Sequence, residues 1–187
     1  MIGTPMRLSF VSILFFIASS PAFADVESGP KAGEKVGALK VHAVTGTIED
    51  KDVDYVKERM DEPTIYFFVN AEKFSRPMNK YMLTVDGKLA DASDKAMAVI
   101  VWCGGDFDKN KEYMPKLQKS VSYAKSALTV FNGDANGPNG WGVNSAAHLT
   151  AVVVVGGKVI KSFAYESVND TDAKDVIESL TKAIKKK

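Results

Sequence analysis

Few residues in this chain are equipped for chemistry, and its one thiol comes first. Cys103 is the only cysteine, and His42 and His148 are the only histidines. A cysteine attacks as its thiolate, so a reactive Cys103 needs cations or a helix N-terminus beside it. The sequence supplies Asp106 nearby and no histidine, which favours the neutral thiol. Inert packing in an apolar run accounts for such a residue. Cys103 is kept as the candidate reactive thiol. A single cysteine excludes an intramolecular disulfide. A Cys103-linked dimer stays open, with nothing in the sequence to favour it.

The second candidate is Ser75-Arg76-Pro77-Met78, which follows the apolar run 64–69. Serine is a good N-cap, and proline suits a first helical turn. Amide groups at such a helix start can hold an anion, and Arg76 can clamp a carboxylate. An ordinary cap and a solvated arginine explain the same residues. Metal sites fare worse. Asp106-x-Asp108-x-Asn110 opens like a calcium loop, but Lys111 stands where glycine is required and Leu117 where glutamate is required. Asp134-x-Asn136-Gly137 fails in the same way at Ser145. Neither histidine has a partner at metal-ligand spacing. No metal and no cofactor is expected.

The elements that must position these residues are legible from hydrophobic periodicity. Residues 39–44 read as a short strand or hairpin. Residues 52–60 read as a helix with Val53, Val56 and Met60 on one face. Residues 64–70 are continuously apolar and suit a strand buried on both faces. A helix from Ser75 carries Met78, Tyr81, Met82, Val85 and Leu89 at helical spacing. Residues 96–102 form a second buried strand. Asp108 is a candidate cap for a helix whose inner face is Tyr113, Leu117, Val121 and Ala124. A strand at 128–131 and a Gly/Asn/Pro loop at 132–142 follow. Then come a hairpin, 148–155 and 158–165, turning at Gly156-Gly157, and a closing helix at 171–184. Trp102 and Trp141 read as core or rim aromatics, with Trp141 also placed to line a groove. Strands alternating with helices imply an α/β fold with parallel strands.

Residues 1–24 have the form of an export signal: Arg7, an apolar run at 8–18, and Ala22-Phe23-Ala24 as a cleavage site. That run is too short to span a bilayer, which takes roughly 20 residues. The expected organisation is a signal peptide at 1–24, a flexible leader at 25–35 and one domain at 36–187. The product is expected to be soluble, in a periplasm or outside the cell. Of the 24 basic residues only Arg7 lies in the signal, which leaves 23 against 23 acidic residues. A neutral chain whose one basic run is Lys185-Lys186-Lys187 is not built for nucleic acid or an anionic membrane.

The element order and four landmarks resemble the thioredoxin-like superfamily, in its exported branch of thiol-disulfide oxidoreductases and peroxiredoxins. Gly33-Glu34-Lys35 and the segment to Gly46 resemble that branch's lead-in, without its Pro and Phe. Phe68-Val69-Asn70-Ala71 running into Phe74-Ser75-Arg76-Pro77-Met78 resembles the active-site strand and its Trp-Cys-Gly-Pro-Cys motif. Trp141-Gly142-Val143 resembles the end of the loop before the conserved proline turn. Residues 150–160 match the terminal hairpin. The resemblance covers roughly residues 33–184. It implies a central mixed, mostly parallel sheet with helices on both faces and a C-terminal hairpin plus helix.

The same resemblance puts Ser75 and Met78 at the two cysteine positions and Leu149 at the cis-proline. A hydroxyl is no thiolate and a thioether cannot resolve a mixed disulfide, so disulfide exchange is excluded on these residues. The expectation is an exported thioredoxin-like domain without a redox pair. It would bind a protein or peptide partner across Ser75, Arg76, Pro77, Leu149 and Thr150, where the family pairs backbone to backbone with polypeptides. The alternatives are a one-cysteine thiol peroxidase or redox sensor built on Cys103, and a structural subunit of an envelope complex.

Overall fold

A computed structural model describes residues 26–186. The signal-peptide reading of residues 1–24 lies outside the described residues. In chain order the elements are β1 (Lys40–Ala43), β2 (Lys51–Asp54), α1 (Tyr55–Arg59), β3 (Thr64–Asn70), α2 (Arg76–Ala92), β4 (Met97–Cys103), α3 (Phe107–Val121), β5 (Ser126–Val130), β6 (Leu149–Val155), β7 (Lys158–Tyr165) and α4 (Ala173–Lys185). The strands form one sheet in the order β2-β1-β5-β4-β3-β6-β7. β3, β4 and β5 are parallel, and every other neighbour pair is antiparallel. The fold is α/β with a mixed sheet, its parallel part confined to the three central strands.

Burial explains this arrangement. All seven residues of β3 and all seven of β6 are buried, which only central strands covered on both faces allow. Alternate residues feed two cores. Ile65, Phe67 and Val69 face α2, α3 and α4 on one side of the sheet. Tyr66 and Phe68 face Leu39, Tyr55 of α1 and Trp141 on the other. The turn from β6 to β7 is Gly156-Gly157 with φ of +64° and +70°, the left-handed pair a tight hairpin requires.

Three local expectations change. The helix expected over 52–60 splits: β2 pairs with β1 in the register His42–Asp52, and α1 is only five residues long. Pairing with β1 outweighs weak periodicity in so short a segment. Met60 is then 75% exposed at the end of α1 rather than on a buried face. In α3 the cap is Asp106, whose Oδ1 accepts the Lys109 N–H at 3.0 Å, not Asp108. The inner face carries Met114 beside Leu117, and Tyr113, expected there, is 40% exposed. The helix stops at Val121, so Ala124 lies beyond it.

The described part of the expected flexible leader, residues 26–35, is tied to the sheet. Ser28 Oγ lies 2.6 Å from Thr150 Oγ1 and accepts the Asn144 N–H at 2.9 Å. Gly29 N–H donates to Gly142 O, and Gly33 and Glu34 exchange backbone bonds with Val159. A Cβ on Gly29 would stand 2.8 Å from Ser162, so only glycine permits this approach. Polar composition alone does not reveal backbone bonding of this kind.

Candidate functional site

The site is assembled where β3 ends and β6 begins, strands that pair at Val69 and Leu149. Asn70 fixes this junction. Its N–H donates to His148 O at 3.0 Å, its Nδ2 donates to Ser145 O at 3.0 Å, and its Oδ1 accepts the Glu72 N–H at 3.1 Å. A 3₁₀ turn, Ala71–Lys73, then delivers the chain to Phe74, whose ring lies 4.6 Å from that of Trp102. Ser75 is extended and caps α2, its Oγ accepting the Met78 N–H at a long 3.5 Å. No histidine hydrogen-bonds Ser75, so no base activates its hydroxyl among the described residues.

The five residues expected to share a binding face divide into two groups. Ser75, Arg76 and Pro77 are exposed on the first turn of α2. Leu149 and Thr150 are 0% and 1% exposed, and Met78 is 1% exposed in the core below α2. The backbone at 148–150 has no unpaired edge. His148 N–H donates to Tyr165 O at 2.8 Å, and Leu149 and Thr150 lie in register between β3 and β7. The strand pairing expected there has no free groups to use, because β7 and β3 already occupy both sides of β6. The peptide bond before Leu149 is trans.

What stays open is a groove of about 510 Å³ beside the exposed turn, lined by Arg76, Pro77, Asn79, Lys80, Leu83 and Asn169. Leu83 is 37% exposed, which gives the groove an apolar spot. Asn79 Oδ1 accepts the Tyr123 hydroxyl at 2.7 Å, which fixes the orientation of its amide. A larger hollow of about 780 Å³ lies between the β1–β2 hairpin and the start of α3. There the hairpin brings His42 between two carboxylates that its sequence spacing did not single out: Nδ1 is 2.8 Å from Asp52 Oδ1 and Nε2 is 3.2 Å from Asp50 Oδ1. His42 and these two carboxylates satisfy one another, whereas among the described residues no partner holds the Arg76 guanidinium.

No protein-family model and no curated protein matches the chain. Solved structures do. Peroxidoxin BcpB from Mycobacterium tuberculosis aligns with a TM-score of 0.58 at 18% identity, covering 82% of this chain and 97% of that one. A DsbF homologue from Corynebacterium diphtheriae aligns with a TM-score of 0.61 at 16% identity, covering 88% and 98%. A putative protein disulfide isomerase from Bacteroides thetaiotaomicron gives 0.60 at 14%, covering 86% and 93%. The fold is thioredoxin-like.

In this thioredoxin-like chain the only thiol is sealed. Cys103 ends β4, is 1% exposed, and points its Sγ at Val101 O, 3.7 Å away. Burial, and secondarily the Asp134 carboxylate, push its pKa well above the ordinary thiol range. Burial likewise raises Tyr55 and Tyr165 to about 12. The signs agree: each group is held neutral in the fold and releases its proton more easily when unfolded. The stability this contributes is fully present below the unfolded value, about 8.5 for cysteine and 10 for tyrosine, and is lost as pH rises above it. Native protein is therefore expected to resist alkylation at Cys103 through pH 9 and to react at once after denaturation. Rapid labelling of the native protein, with a midpoint below about 8.5, would restore the redox reading.

Asp86 is a further residue that the sequence reading passed over. It lies on the buried face of α2 and is 3% exposed. It accepts the Ala124 and Lys125 N–H groups, each at 2.8 Å, and the Ser126 hydroxyl at 2.6 Å. Its signal was its place between Met82, Val85 and Leu89 on the apolar arc. No described helix is long and apolar enough to cross a membrane.

Proposed function

We propose that the chain is an exported thioredoxin-like domain that binds a protein or peptide partner and performs no thiol chemistry. The observation that carries this reading is the state of the sulfur atoms near the family's reaction face. If Ser75 and Met78 occupy the motif positions, one offers a hydroxyl without a base and the other a thioether 1% exposed. The single thiol, Cys103, is buried and held neutral. A peroxidase or redox sensor built on Cys103 needs an accessible thiolate, and burial argues against it.

The partner contact is assigned to the exposed turn Ser75-Arg76-Pro77 and the adjoining groove, since Leu149 and Thr150 are buried. Arg76 supplies a planar donor fork and Leu83 an apolar anchor point, a pairing suited to a polypeptide surface. The test is capture by crosslinking in the native envelope, followed by affinity measurement with an Arg76→Glu, Leu83→Asp double variant. Both positions are solvent-facing, so the fold is expected to survive, and thermal melting checks that it has. A loss of about ten-fold or more in affinity is the expected result, in line with one or two interface contacts. Unchanged affinity in a folded variant would remove this surface from consideration.

A further inference from the structure

The loop between β5 and β6 contains three Asn-Gly steps within nine residues of sequence: Asn132-Gly133, Asn136-Gly137 and Asn139-Gly140. An Asn-Gly step is intrinsically labile because glycine carries no side chain to shield its amide nitrogen. That nitrogen can attack the preceding asparagine's Cγ. The new C–N bond closes a five-membered imide and the Cγ–NH₂ bond breaks. The departing nitrogen leaves as ammonia, taking up the proton lost from the glycine amide. Water then opens the imide at either carbonyl, which leaves aspartate or isoaspartate. The reaction needs no oxidant, metal or enzyme, only a free side chain and a free glycine N–H.

The three steps are identical in sequence and differ in structure. At Asn136-Gly137 the side-chain carbonyl and the attacking amide are both engaged, and the backbone between them is held. Asn136 Oδ1 accepts the Ser145 N–H at 3.1 Å, Asn136 N–H donates to Asp134 Oδ1 at 2.8 Å, and Gly137 N–H donates to Asp134 O at 3.1 Å. At Asn132-Gly133 the Phe131 ring lies directly against Gly133, where a Cβ would collide with it. Asn139-Gly140 has neither restraint. Both residues are exposed, among the described residues no hydrogen bond holds the Asn139 side chain or the Gly140 N–H, and beyond its chain neighbours no residue lies within 4 Å of where a Gly140 Cβ would be. The step forms the tip of a turn closed by Trp141 N–H donating to Pro138 O at 3.3 Å.

We infer that Asn139 is a site of spontaneous modification, converting to aspartate and isoaspartate ahead of Asn132 and Asn136. The consequence is local but not trivial. Conversion puts a carboxylate two residues from the buried Trp141, and the isoaspartate product adds a methylene to the backbone of the turn that sets that ring in place.

The test is incubation of the signal-free protein at pH 8.5, followed by peptide mass mapping of the 0.98 Da gain expected for loss of NH and gain of O. Isoaspartate is resolved from aspartate by elution order. Asn139 is expected to react roughly ten-fold or more faster than Asn136, because two modest hydrogen bonds must open at the latter. An Asn139→Gln variant is expected to remove the early product, since the longer side chain disfavours the five-membered ring. After denaturation the three steps are expected to converge in rate. Earliest conversion at Asn132 or Asn136, or equal rates at all three sites in the folded protein, would overturn the inference. So would a folded protein in which Asn139 stays intact while the denatured chain reacts.

Discussion

Trp141→Ala is expected to destabilise the protein by about 3–5 kcal/mol, the range for removing a large aromatic from a packed core. Trp141 is fully buried although it sits in a Gly-rich loop. Its ring meets those of Tyr66 and Phe68, each at a centroid distance of 4.9 Å, and its Nε1–H donates to Ala38 O at 3.2 Å. One side chain thus holds the β5–β6 loop, the approach to β1 and the second face of β3 together. Truncation leaves a cavity that glycine-rich neighbours cannot fill and a carbonyl that loses its donor. Trp141→Phe keeps ring contacts and gives up the N–H bond, with an expected cost of about 1–2 kcal/mol. Urea unfolding of both variants checks the ranking. A loss below about 1 kcal/mol for the alanine variant would mean that the loop is not anchored by this ring.

Asp86→Ala is expected to cost about 3–5 kcal/mol, comparable to breaking a buried charged network by removing one partner. The substitution strips three donors of their acceptor at once: two backbone N–H groups and the Ser126 hydroxyl. Water cannot easily replace it, since Ser126 is 7% exposed and Asp86 3%. Asp86→Asn retains one oxygen but presents an NH₂ to donors, so it is expected to recover less than half of the loss. Hydrogen exchange separates this role from simple packing. The amides of Ala124 and Lys125 are expected to lose protection specifically, while amides in β3 follow global unfolding. Equal changes at all these amides would reduce Asp86 to a generic core residue.

The architecture was readable where burial forces a pattern. β3, β4 and β6 are covered on both faces, so their sequences are apolar apart from Thr64, Asn70 and Thr150 near the strand ends, and the Gly156-Gly157 turn marks its hairpin. The failures share a cause: short segments stabilised by partners distant in sequence. β2 is a charged four-residue strand that exists because β1 pairs with it. Residues 26–35 read as a leader because their restraints are backbone amides and one serine hydroxyl, none of which leaves a compositional trace. Asp86 was passed over because an aspartate in an amphipathic helix is usually solvated.

The candidate site was half legible. Ser75 as a cap and Pro77 in the first turn follow from residue chemistry alone. That Leu149 and Thr150 have no open edge depends on β7, and that Leu83 and Asn169 meet in one groove depends on tertiary packing. Neither fact has a local signature. Cys103 follows directly on the buried strand read at 96–102 and was kept as a candidate thiol; only the fold reveals how thoroughly it is enclosed.

The hydroxyl pair between Ser28 and Thr150 joins residues 122 apart in sequence. The order of assembly follows from this and from the sheet. β3 is made early, yet one of its two neighbours is β6, which lies beyond the long loop. A chain emerging from its N-terminus must therefore carry the apolar run of β3 unpaired on one side until β6 arrives. Loop-closure entropy makes such distant pairing slow. The same delay exposes the unpaired side of β3 to aggregation until β6 has been made.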